Sequence, residues 1–332
     1  MSTSILVTGG AGYIGSHICI ELLHRGYTPV IVDNFSNSYL NVIDRMRRMS
    51  CTEVPVIHAD VLDLDQLNTV LRQHPCEAVV HLAGLKSIEE SHAMPTEYYE
   101  VNAMGTLNVV KAMRSHGITK LILSSSATVY GTPQVTPIPE DHPTLPVCPY
   151  GRTKLMAEHL LTDLHHAHPE LAIAILRYFN PVGAHPSGLL PEQPRGIAMN
   201  LMPNVLRAAT QHQKALTVYS GYDTPDGTGI RDYIHVVDLA GAHVTTLNHL
   251  NEPQCLTLNI GTGRGYSVLD VVREMESITQ ATIPLEFAPR RTGDLDVVVA
   301  DPTRVQQLLR WTATHDLTAM CKTAHHAFTH AY

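Results

Sequence analysis

The chain has 332 residues, 44% of them apolar and 16% charged, a length suited to two lobes and a composition that excludes a disordered, coiled-coil or collagen-like protein. Its 23 Lys and Arg against 31 Asp and Glu give a net charge of −8, which opposes nucleic acid or an anionic membrane as partner and requires any anionic ligand to meet a local basic site. Apolar runs fall short of the ~18 residues of a membrane span, and Met1-Ser2-Thr3 passes directly into Ile5-Leu6-Val7 without a charged leader, so the expectation is a soluble, cytoplasmic protein.

In chain order, short β-branched runs predict strands over 4–8, 28–32, 54–58, 78–82, 121–125 and 172–178. Between them apolar residues recur at helical spacing, as at Ile14, Ile18 and Leu22 and again at Val109 and Met113. Alternating strands and helices with nearly continuous apolar strands imply a parallel sheet covered on both faces. The fold class is therefore α/β, a doubly wound, Rossmann-like parallel sheet with a second, smaller α/β lobe. After Asn180, Pro and Gly crowd residues 181–188 and 222–229, which read as loops. Helices are predicted over 199–212, 236–250, 268–277 and 303–309, and short strands over 216–219, 256–260 and 285–288. The division expected is 1–180 and 181–332, with segments near 230–262 returning to the first part.

Gly9, Gly10, Gly12 and Gly15 follow the first strand and open the first helix. Such glycines let the backbone turn sharply and approach a pyrophosphate, whose charge the helix N-terminus stabilises. Asp33 ends the next strand, 18 residues after Gly15, where a carboxylate accepts hydrogen bonds from a ribose diol and repels a 2′-phosphate, selecting NAD over NADP. Asp60 and Val61, after the third strand, are placed to hold an adenine, although an Asp there also serves as a helix cap. Leu82, Ala83 and Gly84 are placed to line the cofactor.

Tyr150 and Lys154 stand four apart where a helix begins after Pro149, so both lie on one helical face. A phenol near pKa 10 must fall by about three units, about 4 kcal/mol, to act as a base at neutral pH. The ammonium of Lys154 and a nicotinamide cation together are expected to supply that drop. Ser124, Ser125 and Ser126 end the fifth strand, over which the ligand cleft of an open α/β sheet lies. A hydroxyl there can relay or orient a proton.

These motifs, in this order, resemble the extended short-chain dehydrogenase/reductase family and, within it, the UDP-glucose 4-epimerase branch. The resemblance covers nearly the whole chain: VTGGAGYIGSH at 7–17, DN at 33–34, AGLK at 83–86, SSSATVYG at 124–131, LRYFNPVGAHPSG at 176–188, NLMP at 200–203, GTGIRDYIHVVDLA at 227–240 and APRRTGDL at 288–295. It implies an NAD-dependent isomerase that inverts C4 of UDP-glucose and UDP-galactose, with 1–180 as the NAD part and 181–332 as the nucleotide-sugar part. Tyr150 would be the base, Lys154 its electrostatic partner and ribose ligand, and Ser126 the partner of the sugar 4-hydroxyl.

By the same resemblance Gly9, Gly12, Tyr13, Ile14 and Gly15 would contact the pyrophosphate, Asp33 and Asn34 the adenosine ribose, and Asp60 and Val61 the adenine. Leu82, Ala83, Lys86, Asn102 and Tyr178 would complete the cofactor pocket, and Lys86 would also reach the substrate. Asn180, Asn200, Leu201, Tyr219, Arg231, Arg291, Asp294 and Val298 would take the UDP-sugar, with Tyr219 under the uracil and the two arginines on the diphosphate. Paired arginines suit a diphosphate in an otherwise acidic protein. The resemblance also implies a homodimer.

The chain departs from the family pattern at Arg152-Thr153, at Met199 and at Thr292. Val298 stands where the family also carries a bulky Tyr; its smaller volume is expected to admit UDP-N-acetylhexosamines. A nucleotide-sugar 4,6-dehydratase is disfavoured because Ala127 and Thr128 occupy the places of its Asp-Glu pair. A UDP-glucuronate 4-epimerase or decarboxylase and a net dehydrogenase stay open, whereas a non-catalytic NAD-binding protein typically lacks the Tyr-Lys pair. The six cysteines (Cys19, Cys51, Cys76, Cys148, Cys255, Cys321) lack ligand spacing and read as free thiols. The histidine clusters read as solvated helix faces, and no metal is expected.

Overall fold

Apolar β-branched runs form the first strands of the computed structural model, which describes residues 2–196, 198–291 and 293–331. In chain order the elements are β1 (Ser4–Thr8), α1 (Tyr13–His24), β2 (Thr28–Asp33), α2 (Asn41–Ser50), β3 (Val56–His58), α3 (Leu64–Gln73), β4 (Ala78–His81), α4 (Ile88–Ala93) and α5 (Pro95–Tyr99). A π-helical turn (Glu100–Met104) leads into α6 (Gly105–Ser115), β5 (Lys120–Ser126), a 3-10 turn (Ala127–Tyr130), α7 (Pro149–Ala167) and β6 (Ala172–Tyr178). Then come β7 (Asn180–Val182), α8 (Leu201–Ala209), β8 (Leu216–Ser220), β9 (Ile230–His235), α9 (Val236–His249), β10 (Gln254–Ile260) and β11 (Gly265–Ser267). The chain ends with α10 (Val268–Thr279), β12 (Leu285–Pro289), β13 (Val297–Val298), α11 (Thr303–Leu309) and α12 (Leu317–Ala331).

The first compact unit comprises Met1–Gly131, Pro143–Tyr178 and Ala240–Leu258. Its seven-stranded sheet runs β10-β6-β5-β4-β1-β2-β3, and β3, β2, β1, β4, β5 and β6 pair in parallel throughout. The strand order reverses between β1 and β4, so their carboxyl ends, in register at Thr8 and His81, flank the crevice where doubly wound sheets bind ligands. Leu6, Val30, Val79, Leu121 and Ile173 from the sheet pack with Leu67 and Leu71 of α3, Val109 and Met113 of α6 and Leu161 of α7. That two-sided burial accounts for the nearly continuous apolar strands.

The second unit comprises Thr132–His142, Phe179–Leu239 and Asn259–Tyr332. It carries a sheet in the order β11-β9-β13, with β7 also on β9, and a two-stranded parallel β8-β12 pair. Its core joins Met202 and Val205 of α8, Val271 and Met275 of α10, and Met320, Cys321 and Phe328 of α12.

The predicted elements of the first unit shift by at most two residues. In the second unit β9, β11, β13 and α12 form where no element was expected, and two expected features differ. Residues 181 and 182, expected within the loop 181–188, belong with Asn180 to β7, a three-residue strand paired in parallel with β9; Pro181 is tolerated because the strand is short and peripheral. The helix expected over 199–212 is α8, cut back because Asn200 is extended (ψ 153°) and Gln211 adopts a positive φ. Thr292, singled out in the sequence, lies outside the described residues.

Candidate active site

The glycine turn is shaped by backbone contact. Gly9 sits at φ +71°, and a Cβ at Gly15 would lie 2.2 Å from the Gly9 carbonyl oxygen. Gly12 caps α1 with extended backbone and no side-chain cap hydrogen bond, and a helix N-terminus of this kind attracts an anion. Asp33, buried at the end of β2, accepts hydrogen bonds from Ala11 N (3.0 Å), Phe35 N (2.9 Å) and the Ser38 hydroxyl (2.9 Å). A carboxylate offers about four lone-pair positions, which leaves room for a ribose hydroxyl. Next to it Asn34 donates to Asp60 at 2.8 Å, Asp60 accepts from Leu62 N at 2.9 Å, and Val61 is buried. A cradle closed to a Cβ at Gly15 and lined by amides and a buried acid fits a dinucleotide pyrophosphate and ribose.

Below this turn runs a network that the sequence reading did not find. Thr8 Oγ1 bonds His81 Nδ1 (2.7 Å) and accepts from the amides of Leu82 and Ala83 (3.3 Å each), while His81 Nε2 meets Thr106. Burial, then the Lys154 charge, drive His81 down to about 3, so the ring is neutral. Asn102, held in the π-helical turn, pairs with Leu85 through both N–H and C=O (2.8 and 3.0 Å) and donates to Thr153 on α7 (2.9 Å). Lys86 is exposed. Alternation of Thr8 and His81 at facing strand ends was the available signal.

The strand-end serines and α7 bring Ser126, Tyr150 and Lys154 together. Pro149 starts α7 and the Cys148 thiol accepts from Gly151 N, which fixes the first turn carrying Tyr150. Tyr150 is buried, its ring edge-on to Tyr98 (6.3 Å between centroids), with Ser126 close enough to influence its ionisation. Lys154 Nζ donates to the Ser124 carbonyl at 2.9 Å and borders Gly84, where a Cβ would lie 3.5 Å away. Tyr178, buried on β6, hydrogen-bonds His243 of α9.

The electrostatics differ from the sequence expectation. Burial pushes the Tyr150 phenol up to about 12; Ser126 pulls it down and Cys148 adds to the rise. Lys154, expected to lower it, is itself driven down to about 8 by burial and is aimed at the strand end. The protein alone therefore keeps the phenol protonated, because desolvation of both groups outweighs their spacing.

In the second unit, Arg231 on β9 donates to Asp294, Arg291 donates to the same carboxylate at 3.1 Å, and the Tyr222 hydroxyl adds a third bond at 2.6 Å. Burial opposes the Asp294 charge, but Arg231, Tyr222 and Arg291 outweigh it and hold the carboxyl below the usual range. The Arg291 guanidinium lies 4.6 Å from the Tyr219 ring centroid, over one face of the ring expected to stack on uracil. Val298 is buried on β13 in register with Arg231. Asn180 is exposed on β7, Asn200 caps α8 and donates to Glu192, and Leu201 is half-buried against the core. No group of three or more metal-ligating side chains occurs among the described residues, and no described helix is long and apolar enough to cross a membrane.

The GDP-mannose 4,6 dehydratase family pattern matches residues 6–324. The chain is 48% identical over 320 residues to a UDP-glucose 4-epimerase of Bacillus subtilis, covering 96% of this chain and 94% of the relative. It aligns with the crystal structure of UDP-glucose 4-epimerase from Bifidobacterium longum in complex with NAD+ and UDP at a TM-score of 0.96 and 44% identity, over 99% of this chain and 98% of that one. A UDP-glucose-4-epimerase from Stenotrophomonas maltophila, with bound NAD and formylated UDP-arabinopyranose, matches at a TM-score of 0.96 and 43% identity, over 99% and 100% of the two chains. On similarity that runs nearly end to end, the chain belongs to the UDP-glucose 4-epimerase family of the NAD-dependent epimerases and dehydratases, within the extended short-chain dehydrogenases/reductases.

Proposed function

We propose that the protein interconverts UDP-glucose and UDP-galactose by transient oxidation at C4 of the hexose, with NAD held tightly and regenerated each turnover. The observation that carries this reading is the buried Tyr150 phenol beside Ser126 at the end of β5, with Lys154 one helical turn beyond it. When bound, NAD supplies the two-electron acceptor for C4 and a positive charge beside the phenol. Tyr150 takes the 4-hydroxyl proton and later returns it, Ser126 orients the 4-oxygen, and Lys154 holds the nicotinamide ribose and favours the phenolate. The amides of Tyr13 and Ile14 take the pyrophosphate, Asp33 with Asn34 the adenosine ribose, and Asp60 with Val61 the adenine.

Inversion requires that the 4-keto sugar present its opposite face, so the UDP must be gripped and the hexose left free to turn. Arg231 and Arg291 supply the grip on the diphosphate, and the Tyr219 ring stacks on the uracil. Elimination of water needs an acid and a base after the strand-end serines; Ala127 and Thr128 provide neither, which favours epimerisation over dehydration. The small Val298 extends the substrate range to UDP-N-acetylhexosamines. A cytoplasmic homodimer completes the proposal: Ile88, Met104 and Met156 on the helical elements of the first unit are 49–50% exposed and apolar, and the cysteines are free thiols.

The test is incubation of purified protein with UDP-galactose and no added NAD. Appearance of UDP-glucose is expected and identifies both substrate and retained cofactor; conversion of UDP-glucuronate with none of UDP-galactose overturns the assignment. UDP-N-acetylglucosamine left unchanged while UDP-galactose turns over removes the extension. Sedimentation at the monomer mass removes the dimer.

A further inference from the structure

We propose that Glu158, paired with Arg177, is a positioning residue that keeps the Lys154 ammonium charged and aimed at the end of β5, an inference that rests on the epimerase reading above. Glu158 follows Lys154 by four residues on α7, as Lys154 follows Tyr150, so the three side chains rise along one helical face. The Glu158 side chain is 4% exposed and that of Arg177 7%. One carboxylate oxygen of Glu158 accepts from the Ser125 hydroxyl and from Arg177 Nε (3.1 Å), and the other from Arg177 Nη2 (2.6 Å). Glu158 thereby ties α7 to β5 and β6 at Ser125, between Ser124, whose carbonyl accepts from Lys154, and Ser126, beside Tyr150.

A buried ion pair is a poor source of stability compared with apolar packing, so its place directly beneath the reacting groups calls for another role. The pair is asymmetric toward Lys154. Glu158 shares its helical face, whereas the Arg177 guanidinium turns to the Tyr130 ring, 4.7 Å from its centroid. Beside Lys154 stand His81 of β4, neutral by burial, and Tyr150 one turn earlier on α7, while Tyr178 of β6, on which Tyr150 acts, is bonded to His243 of α9. Glu158 itself is faced by Ser125 of β5, Arg177 of β6 and the Cys255 thiol of β10. Burial drives Lys154 down to about 8, and the Glu158 charge is what pushes it the other way. A neutral Lys154 would hold a ribose hydroxyl but give the phenolate no charge.

The test compares wild type, E158Q, E158D and the double variant E158Q/R177M, all loaded with NAD. Two readouts apply: the Lys154 Nζ titration by 15N-lysine NMR and the pH profile of kcat for UDP-galactose. In E158Q the Lys154 midpoint and the alkaline limb of kcat are expected to fall by about one pH unit or more, a tenfold loss of turnover above the limb with little loss at pH 6.5. E158D, which restores the charge, is expected to recover most of the limb. Should E158Q fold poorly because Arg177 is stranded, E158Q/R177M removes both buried charges and is expected to fold with an unchanged Tm while still titrating low. An unmoved Lys154 midpoint in the double variant, or a uniform drop in kcat at every pH, overturns the proposal. If wild type leaves UDP-galactose unchanged, the epimerase reading fails while the NMR titration still decides the role of Glu158.

Discussion

Two carboxylates, Asp33 in the first unit and Asp294 in the second, are satisfied in opposite ways. Asp33 spends its lone pairs mainly on backbone amides and a serine of its own turn, so a ligand meets a preset array of dipoles. Asp294 is held by Arg231, Arg291 and the Tyr222 hydroxyl, so an anion arriving there meets charges already spoken for and must share or displace them. The first arrangement suits a cofactor that stays; the second suits a diphosphate that comes and goes. Backbone dipoles cost nothing to reorganise at the moment of binding, whereas an ion pair trades one partner for another.

The largest expected break in this contrast comes at the reacting groups. Tyr150→Phe removes the proposed proton acceptor and is expected to lower kcat by about 10³-fold, in the middle of the usual range for general base loss, with NAD content by absorbance unchanged. Retention of more than a tenth of wild-type turnover would count against Tyr150 as base. Next is the ion-pair side of the contrast. Arg231→Ala leaves Asp294 partly unpaired and removes the proposed diphosphate ligand, a loss of about 2–5 kcal/mol in binding, so KM for UDP-galactose should rise about 30-fold or more. Arg291→Ala, at a side chain 49% exposed, should raise it several-fold less. NAD content should not change in either; equal loss of NAD from Arg231→Ala would erase the division of labour between the two carboxylates.

On the backbone side, Gly15→Ala drives a Cβ to 2.2 Å from Gly9 O and 2.8 Å from Gly10 Cα. Neither contact can yield without moving the turn, so a loss of about 1–3 kcal/mol of stability is expected, with NAD lost in purification. UDP binding by isothermal titration should persist. Full NAD occupancy in this variant would show that the turn adjusts, and that the preset cradle is less rigid than its geometry implies.

How much of this could be read beforehand follows the same division. β1, the glycine turn and β2 are legible because a strand buried on both faces is written as an unbroken apolar run and because only glycine suits the turn. β9 hides: Ile230–His235 reads Ile-Arg-Asp-Tyr-Ile-His, and Asp232 is fully buried, satisfied by the amides of Thr262, Gly263 and Ala300. A core strand with a charge at its centre has no apolar signature. α12 escaped the sequence reading as well, although Leu317, Met320, Cys321, Ala324 and Phe328 recur at helical spacing on its buried face; its histidines diluted that stripe. At the site, the spacing of Tyr150 and Lys154 was readable, but the direction of the Tyr150 shift was not, since burial is set by residues as distant as Tyr98 and Ser126. The pairing of Arg231 with Asp294 spans 63 residues and leaves no local trace.

The smallest effect near neutrality is an acid response that both units share and that differs in its end point. His81 in the first unit and His235 in the second are buried and neutral, the first driven down to about 3 by burial and the Lys154 charge, the second to about 4 by burial, with His315 and His185 adding to the fall and Asp238 opposing it. The unfolded chain binds a proton at each near pH 6.5 while the folded chain does not, so below pH 6.5 the unfolded state holds more protons and stability falls with pH. His235 resists protonation because its Nδ1 accepts from Val237 N at 3.1 Å and its ring stacks on His315, centroids 4.2 Å apart. The loss should run at about 1.4 kcal/mol per pH unit for each ring, flattening near pH 4 for His235 and continuing toward pH 3 for His81. Denaturant melts of His235→Gln and His81→Gln between pH 7 and 4.5, with hydrogen exchange to separate the units, should each show a shallower slope than wild type. Parallel slopes in all three proteins would assign the acid response to the carboxylates instead, and would leave the two buried imidazoles as packing without electrostatic consequence.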